Sequence, residues 1–283
     1  MRPVLISFGF LQFHSYTVML AIAFLTGVLL SVRENYKRSE PYPVTPVGGV
    51  WAYFGAVIGA RLYYILQYEG WREAYRAVFF WEGGLVFYGG LLGGFLGALL
   101  YVRVKRVPVL PMADIVMPYV PLSHAIARVG CFLNGCCWGL PTTLPWGVRF
   151  PKSPWGAYGQ QVEQGLLDAG SAYSLPVHPT QLYCSMGLLA IFFVMQWAYK
   201  HKRHDGAVTL LYPLLYGALR FVVEIFRGDS ARPLWGMTVS QMVSLLLIVG
   251  AGAGFLLLSR TRWRDDDTKT AEHALDKRQM EQP

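Results

Sequence analysis

Seven long apolar runs separated by short polar stretches organise this chain: Tyr16–Val32, Val47–Leu66, Gly84–Val102, Ala113–Val129, Gln181–Tyr199, Ala207–Ile225 and Met237–Leu258. A helix of roughly 18 or more apolar residues is long enough to cross the hydrocarbon core of a bilayer. The pattern therefore predicts an all-α, polytopic integral membrane protein with about seven transmembrane helices. Pro118 and Pro121 interrupt the fourth run, which a span tolerates when neighbouring helices satisfy the freed carbonyls. The spans and their connections predict one transmembrane domain over residues 1–264, followed by a charged tail over 265–283 that lacks apolar periodicity. Residues 1–14 read as a short, partly apolar arm lying in the interface. Residues 140–180 are the one long connection; they are rich in Pro, Trp and Gly and predict a small cap with a short helix near Gln160–Ala169.

Composition agrees. Hydrophobic residues make up 54% of the chain, charged residues 15%, and mean hydropathy is +0.34; a soluble domain carries about 25% charged residues. The net charge of +8 implies no nucleic-acid partner, because its excess lies in alternate connections. One set of loops holds Arg33, Lys37, Arg38, Arg103, Lys105, Arg106, Lys200, Lys202, Arg203 and the basic residues of the tail; the other holds fewer than half as many. The positive-inside rule then places the N-terminus outside and the C-terminus in the cytoplasm. Trp71, Trp81, Trp138, Trp146, Trp155 and Trp235 all fall on the outer side, as an interfacial aromatic belt does. The first run has no small-residue cleavage signature behind it, so it reads as a retained span.

Against this apolar background the ionisable residues stand out. Arg128 follows the run Ile115 to Ile126 and opens the segment Arg128-Val129-Gly130-Cys131-Phe132-Leu133-Asn134-Gly135-Cys136-Cys137-Trp138-Gly139. Tyr216, Arg220, Glu224 and Arg227 recur at intervals of four, four and three, so they share one helix face. A cation in a span is costly and is usually retained for a task. Two such arginines on different spans suggest a site for an anionic ligand, phosphate above all, because a guanidinium stays charged and offers a bidentate fork. Glu224 can aim Arg220 and accept a proton. His14 and Tyr16 stand where the arm meets the first span, Tyr88 stands near another outer boundary, and His178 opens the fifth span. Arg61, Asp114 and His124 read mostly as contacts between helices. Gly89, Gly93 and Gly97 share a face suited to close helix packing, while Gly83-Gly84 and Gly89-Gly90 also offer a broken entry where a lipid headgroup reaches backbone amides. Cys131, Cys136, Cys137 and Cys184 leave several readings open: a link from Cys136 or Cys137 to Cys184, free half-buried thiols, or metal and redox chemistry. The spacing Cys-x4-Cys-Cys is not that of a zinc finger.

Taken in order, these segments resemble the prolipoprotein diacylglyceryl transferases of bacterial plasma membranes over roughly residues 7–258. His14-Ser15-Tyr16 is similar to the family's His-x-Tyr, and Glu82 to Leu91 to its Gly-Gly-x-x-x-His-Gly-Gly segment. Arg128 to Gly139 is similar to its signature Gly-Arg-x-Gly-Asn-Phe-x-Asn-x-Glu-x-x-Gly, and His178 to Tyr183 to His-Pro-x-Gln-Leu-Tyr-Glu. Tyr216 to Arg227 is similar to Tyr-Gly-x-x-Arg-Phe-x-x-Glu-x-x-Arg. The departures are specific: Ala127 for Gly, Tyr88 for His, Cys131 for Asn, and Cys136 and Cys184 for Glu.

The resemblance implies a multi-pass enzyme of the bacterial plasma (inner) membrane. It transfers a diacylglyceryl group from phosphatidylglycerol to the lipobox cysteine thiol of a preprolipoprotein, forming a thioether and releasing glycerol phosphate. The implied partners are phosphatidylglycerol, the preprolipoprotein signal-peptide region and membrane lipids. Arg128 and Arg220 are expected on the phosphate and Glu224 behind Arg220. Tyr16 and Tyr88 are expected to position headgroup or thiol. His14, Gly89, Gly90, Gly139, His178 and Tyr216 complete the expected binding site. The chemistry calls for no metal and no organic cofactor. The alternatives are a paralogue with another acceptor or a thiol-redox role, and a lipid or anion transporter; the broken-helix repeat expected of many transporters is not visible in the sequence.

Overall fold

The computed structural model describes residues 4–8, 11–38, 42, 44–79, 84, 86–153, 156–202, 204–230 and 236–258. Trp81, Gly83, Trp155, Trp235 and the tail at 265–283 lie outside the described residues. The arm forms two short antiparallel strands, β1 (Val4–Phe8) and β2 (Leu11–His14). The long apolar runs beyond them are helical: α1 (Ser15–Lys37), α2 (Pro46–Tyr68), α3 (Phe87–Val104), α4 (Val109–Val116), α5 (Val120–Asn134), α6 (Ala157–Glu163), α7 (Thr180–Lys200), α8 (Ala207–Ile225) and α9 (Val239–Leu258).

Six helices are long and apolar enough to cross a membrane, and α3 is a shorter apolar one. The fourth of the seven spans is the continuous helical run Val109–Asn134. Its prolines shape it: Pro118 sits in a single 3-10 turn, Met117–Tyr119, between α4 and α5. The chain is thus a polytopic membrane protein with an all-α body. Side chains such as Leu91, Phe95, Phe193, Trp197, Leu246 and Leu257 are each at least 60% exposed. In water they would form a large apolar surface, and in a bilayer they face lipid.

The arm pairs as antiparallel strands, with Val4 opposite His14 and Phe8 opposite Leu11, and one element differs from the sequence reading. The cap helix is Ala157–Glu163 rather than Gln160–Ala169. It stops at Gln164 because Gly165 takes a left-handed backbone, φ +70°, a conformation that ends helices.

Packing groups the chain into two compact units, Phe24–Tyr119 and the remainder. In the first, α2 and α3 meet along glycines. A Cβ on Gly93 would lie 2.2 Å from the Gly55 carbonyl oxygen, one on Gly59 2.4 Å from that of Gly89, and one on Gly97 2.4 Å from that of Trp51. The backbones touch directly, which only glycine permits. Thr45 Oγ1 and the Tyr101 hydroxyl, 3.0 Å apart, join the helix ends.

In the second unit, α5 packs on α7 and α7 on α8, around Ala125, Cys184, Leu188 and Val223. The connection from α5 to α7 makes a small core of its own from Trp138, Phe150, Ala157 and Val177. Main-chain bonds between Val148 and Val177 and from Ser174 to Phe150 tie it together.

Substituting Gly93→Val drives a branched side chain into the Gly55 carbonyl. The expected cost is roughly 2–3 kcal/mol or more, read as a lowered unfolding midpoint in detergent. An unchanged midpoint would remove the glycine contact as the basis of α2–α3 packing.

Candidate active site

The site is built on α5 and α8. His124, Arg128 and Cys131 follow one another at four and three residues along α5, so they point the same way. The Arg128 Nε–H donates to His124 Nε2 at 3.3 Å. Accepting that bond leaves the imidazole neutral, with its proton on Nδ1. Nδ1 lies 3.3 Å from the Tyr212 hydroxyl. Tyr212 stacks on Tyr216 with ring centroids 5.6 Å apart, and Tyr216 lies against the His124 ring at 5.1 Å. The Tyr216 hydroxyl bonds to Arg128 and feels the charge of Arg220 as well.

On α8, Arg220 Nη2 lies 2.7 Å from Glu224 Oε2 and donates to Ser240 Oγ on α9 at 2.9 Å. Helices α8 and α9 come this close because Gly217 lies where a Cβ would sit 2.9 Å from the Ser244 carbonyl. Glu224 is fully buried. Its Oε2 contacts Arg220 as an ion pair without meeting hydrogen-bond geometry, and neither carboxylate oxygen has a hydrogen-bond partner among the described residues.

The two arginines are therefore unequal. Arg220 has its carboxylate; Arg128 has a neutral imidazole and a phenol, and among the described residues no carboxylate pairs with it. A third arginine, Arg227, is bonded through both arms of its fork to Asp229, at 2.6 and 2.9 Å. Burial pushes the Asp229 carboxyl up from its ordinary range even beside that guanidinium.

The segment after α5 carries the cysteines. Gly135 takes φ +80°, and the Cys136 N–H bonds back to the Cys131 carbonyl at 3.2 Å, closing the helix end in the manner of a Schellman motif. Cys137 follows with φ +65°. Two side chains from the start of α7 hold this unusual backbone: Thr180 Oγ1 donates to the Cys137 carbonyl and Gln181 Nε2 to the Cys136 carbonyl, each at 2.7 Å. As a result the three sulfurs of Cys131, Cys136 and Cys137 lie within 4.8 Å of one another. Hydrogen bonds from Cys131 and Cys136 hold the Cys137 thiol well below the ordinary thiol range, and the charges of Arg227 and Arg128 act in the same sense against burial. All four cysteines are free, so the link to Cys184 is not formed. Cys184 is instead buried on α7 and feels Arg128, Arg220 and Arg227.

Gly139 sits where three segments meet. Its N–H donates to the His178 carbonyl at 3.0 Å, and the next residue, Leu140, donates to the Phe226 carbonyl at 2.8 Å. A Cβ on Gly139 would lie 2.5 Å from the first of these oxygens and 2.8 Å from the second. His178 packs on Phe226 at 5.2 Å, with Nδ1 3.2 Å from the Tyr183 hydroxyl.

Of the residues singled out in the sequence, the structure gathers Arg128, Arg220, Glu224 and Tyr216, and holds Gly139 and His178 at the adjoining backbone crossing. Tyr16 joins the group: α1 approaches α5 at Gly130, where a Cβ would lie 3.6 Å from Tyr16 Cα, and Tyr16 is in electrostatic reach of Arg128 and the three clustered cysteines. His14 is exposed at the end of β2. Tyr88 is exposed in the first turn of α3, Gly89 is buried against Gly59 and Tyr63, and Gly90 is in ordinary contact with α2. These three belong to the other unit. The sequence reading undervalued His124, whose spacing of four from Arg128 was the available signal, and missed Tyr212, Ser240 and Asp229.

Comparison with known proteins gives the family. The profile described as Prolipoprotein diacylglyceryl transferase matches residues 3–257. The chain is 35% identical over 270 residues to the phosphatidylglycerol–prolipoprotein diacylglyceryl transferase of Bordetella avium, covering 91% of this chain and 95% of that one. It is 32% identical over 254 residues to the protein of the same name from Clostridium tetani, covering 88% and 94%. For that of Xanthomonas campestris the figures are 35% over 278 residues, covering 92% and 91%. The chain belongs to the prolipoprotein diacylglyceryl transferase family.

Removing Arg220 alone strands the Glu224 charge in the interior. Arg220→Ala is expected to cost roughly 3–5 kcal/mol, measured by thermal unfolding in detergent. Arg220→Ala combined with Glu224→Gln should recover part of the loss. A double variant no more stable than the single one would show that the pair is not coupled.

Proposed function

We propose that this protein transfers the diacylglyceryl group of phosphatidylglycerol to the cysteine thiol in the lipobox of a preprolipoprotein. The names of its relatives supply the substrates. The observation that carries the reading to this chain is the half-buried Arg128, which lacks a carboxylate partner among the described residues while Arg220 and Arg227 each have one. A guanidinium left over in an apolar site calls for an anion from outside the chain.

The reaction is a displacement at carbon. The acceptor sulfur forms a bond to the glyceryl CH2, the C–O bond to phosphate breaks, and glycerol phosphate leaves with the bonding pair. The thiol proton must go elsewhere. A free cysteine has a pKa of about 8.5 and is mostly protonated at neutral pH, so the site has two tasks: to favour thiolate and to stabilise the leaving phosphate.

Arg128 serves the second task directly. Its Nε is tied to His124, which leaves the outer edge of the fork for phosphate oxygens. Arg220, fixed by Glu224 and Ser240 and, like Arg128, in electrostatic reach of Tyr216, meets the same charge. Neither group must reorganise as charge develops, which makes such donors effective in a low-dielectric site. The buried carboxylate of Glu224, paired with Arg220, is a candidate proton acceptor on the α8 face of the site. Tyr16 orients headgroup or thiol beside the cysteines. The compartment is the bacterial plasma membrane, with the N-terminus outside and the basic loops in the cytoplasm.

In lipid bilayers, the purified protein should form thioether-linked diacylglyceryl on a lipobox peptide from phosphatidylglycerol and little from phosphatidylethanolamine, read by peptide mass spectrometry. Arg128→Ala should lose at least about tenfold in turnover, on the order of 1.4 kcal/mol, and Arg128→Lys should recover little because an ammonium lacks the planar fork. Near-normal turnover in folded Arg128→Ala protein would remove the phosphate role.

A further inference from the structure

The reaction above needs no thiol from the enzyme, yet three lie together beside Arg128. Their sulfurs are all within 4.8 Å of one another. A tetrahedral ion with sulfur ligands at about 2.3 Å requires sulfurs about 3.8 Å apart, so closure by no more than about 1 Å brings all three onto one metal. Side-chain rotation alone can supply that, since the backbone is already set by Gly135, Thr180 and Gln181. Cys131 is buried at the end of α5, while Cys136 and Cys137 are half-buried, which leaves one side of the cluster approachable.

We propose that Cys131, Cys136 and Cys137 form a three-sulfur site for zinc(II) whose open fourth position receives the acceptor thiol. The chemistry fits on three counts. Thiolates suit zinc and other soft or borderline metal ions over hard cations such as magnesium and calcium. Three protein ligands and an open position are the arrangement of catalytic rather than structural zinc. A thiol that coordinates the ion is deprotonated outright, which is the first of the two tasks set by the transfer.

Position supports the same assignment. Cys131 lies one turn beyond Arg128 on the same face of α5. The Arg128 charge reaches Cys131 and Cys137, so a phosphate held by that arginine lies in electrostatic range of the metal. Three thiolates and a zinc ion carry one net negative charge, and the charges of Arg227 and Arg128 both reach Cys137. The Thr180 and Gln181 hydrogen bonds to the cysteine carbonyls act as the outer support that ligand segments need.

The step balances without redox chemistry. The incoming S–H displaces a metal-bound water, and its proton passes to solvent. The bound sulfur then gives an electron pair to the glyceryl CH2 as the C–O bond breaks and glycerol phosphate departs. The thioether is a neutral, weak ligand; it leaves and water returns.

This inference rests on the proposed transfer for the identity of the thiol, and the test separates the two. The full-length protein, purified under reducing conditions, is loaded with cobalt(II) as a spectroscopic substitute for zinc. One equivalent per chain should produce sulfur-to-cobalt charge-transfer bands that change when a lipobox peptide is added, and not when its cysteine is replaced by serine. Cys131→Ser, Cys136→Ser and Cys137→Ser should each weaken metal binding by at least about tenfold, whereas Cys184→Ala, outside the cluster, should keep the bands. Absence of the bands in folded, reduced protein that still performs transfer overturns the zinc site and leaves the transferase reading standing. Bands indifferent to the peptide thiol overturn the open position. Bands that respond to the thiol in a protein that transfers nothing to any lipobox peptide keep the site and overturn the transferase reading.

Discussion

A guanidinium inside a helical membrane protein must be held by something, and what holds it decides what it can do. Three arginines in one unit answer this in three ways. Arg227 gives both arms of its fork to Asp229. Arg220 is paired with the fully buried Glu224 and braced by Ser240. Arg128 is oriented by a neutral imidazole, which fixes direction without cancelling charge. The positive charge that remains is the one proposed to meet the phosphate, and the surrounding side chains hold it in place. Helix α8 brings Tyr212 and Tyr216 to steady His124, and Gly130 lets α1 bring Tyr16 close.

The cysteine segment shows how a helix end becomes chemistry. The chain leaves α5 through a left-handed glycine, turns back on Cys131, and places two further thiols beside it. Hydrogen bonds from α7 secure a backbone that a non-glycine residue at φ +65° would not hold alone. Cys131 and Cys136, which stand where the resembled family pattern has Asn and Glu, thus join Cys137 in a compact sulfur face one turn beyond Arg128, the arginine proposed to meet the leaving phosphate. That juxtaposition distinguishes this chain from the pattern it otherwise follows.

Much of this was legible in the residues. Length and hydropathy located the spans, and a spacing of four along α8 joined Arg220 to Glu224. The same spacing linked His124 to Arg128, but a neutral residue in a span carries no charge signal and was read as a helix contact. What the sequence concealed lies where helical periodicity stops. The Arg227–Asp229 fork spans two residues past the end of α8. The sulfur cluster depends on the left-handed turn at Gly135, and the cap helix ends early at another, Gly165. The strand pairing of Val4–Phe8 with Leu11–His14 was hidden because so few residues alternate too briefly to signal strands.

The arrangement is proposed to hold a phosphate between the guanidinium groups of Arg128 and Arg220. The most direct measurement is an experimental structure of the wild-type protein in a bilayer mimetic with phosphatidylglycerol bound. The expected result is a headgroup phosphate with oxygens at about 2.7–2.9 Å from nitrogens of both guanidinium groups, the His124 contact to Arg128 still in place. A headgroup bound elsewhere, with Arg128 turned to a protein carboxylate, would contradict it.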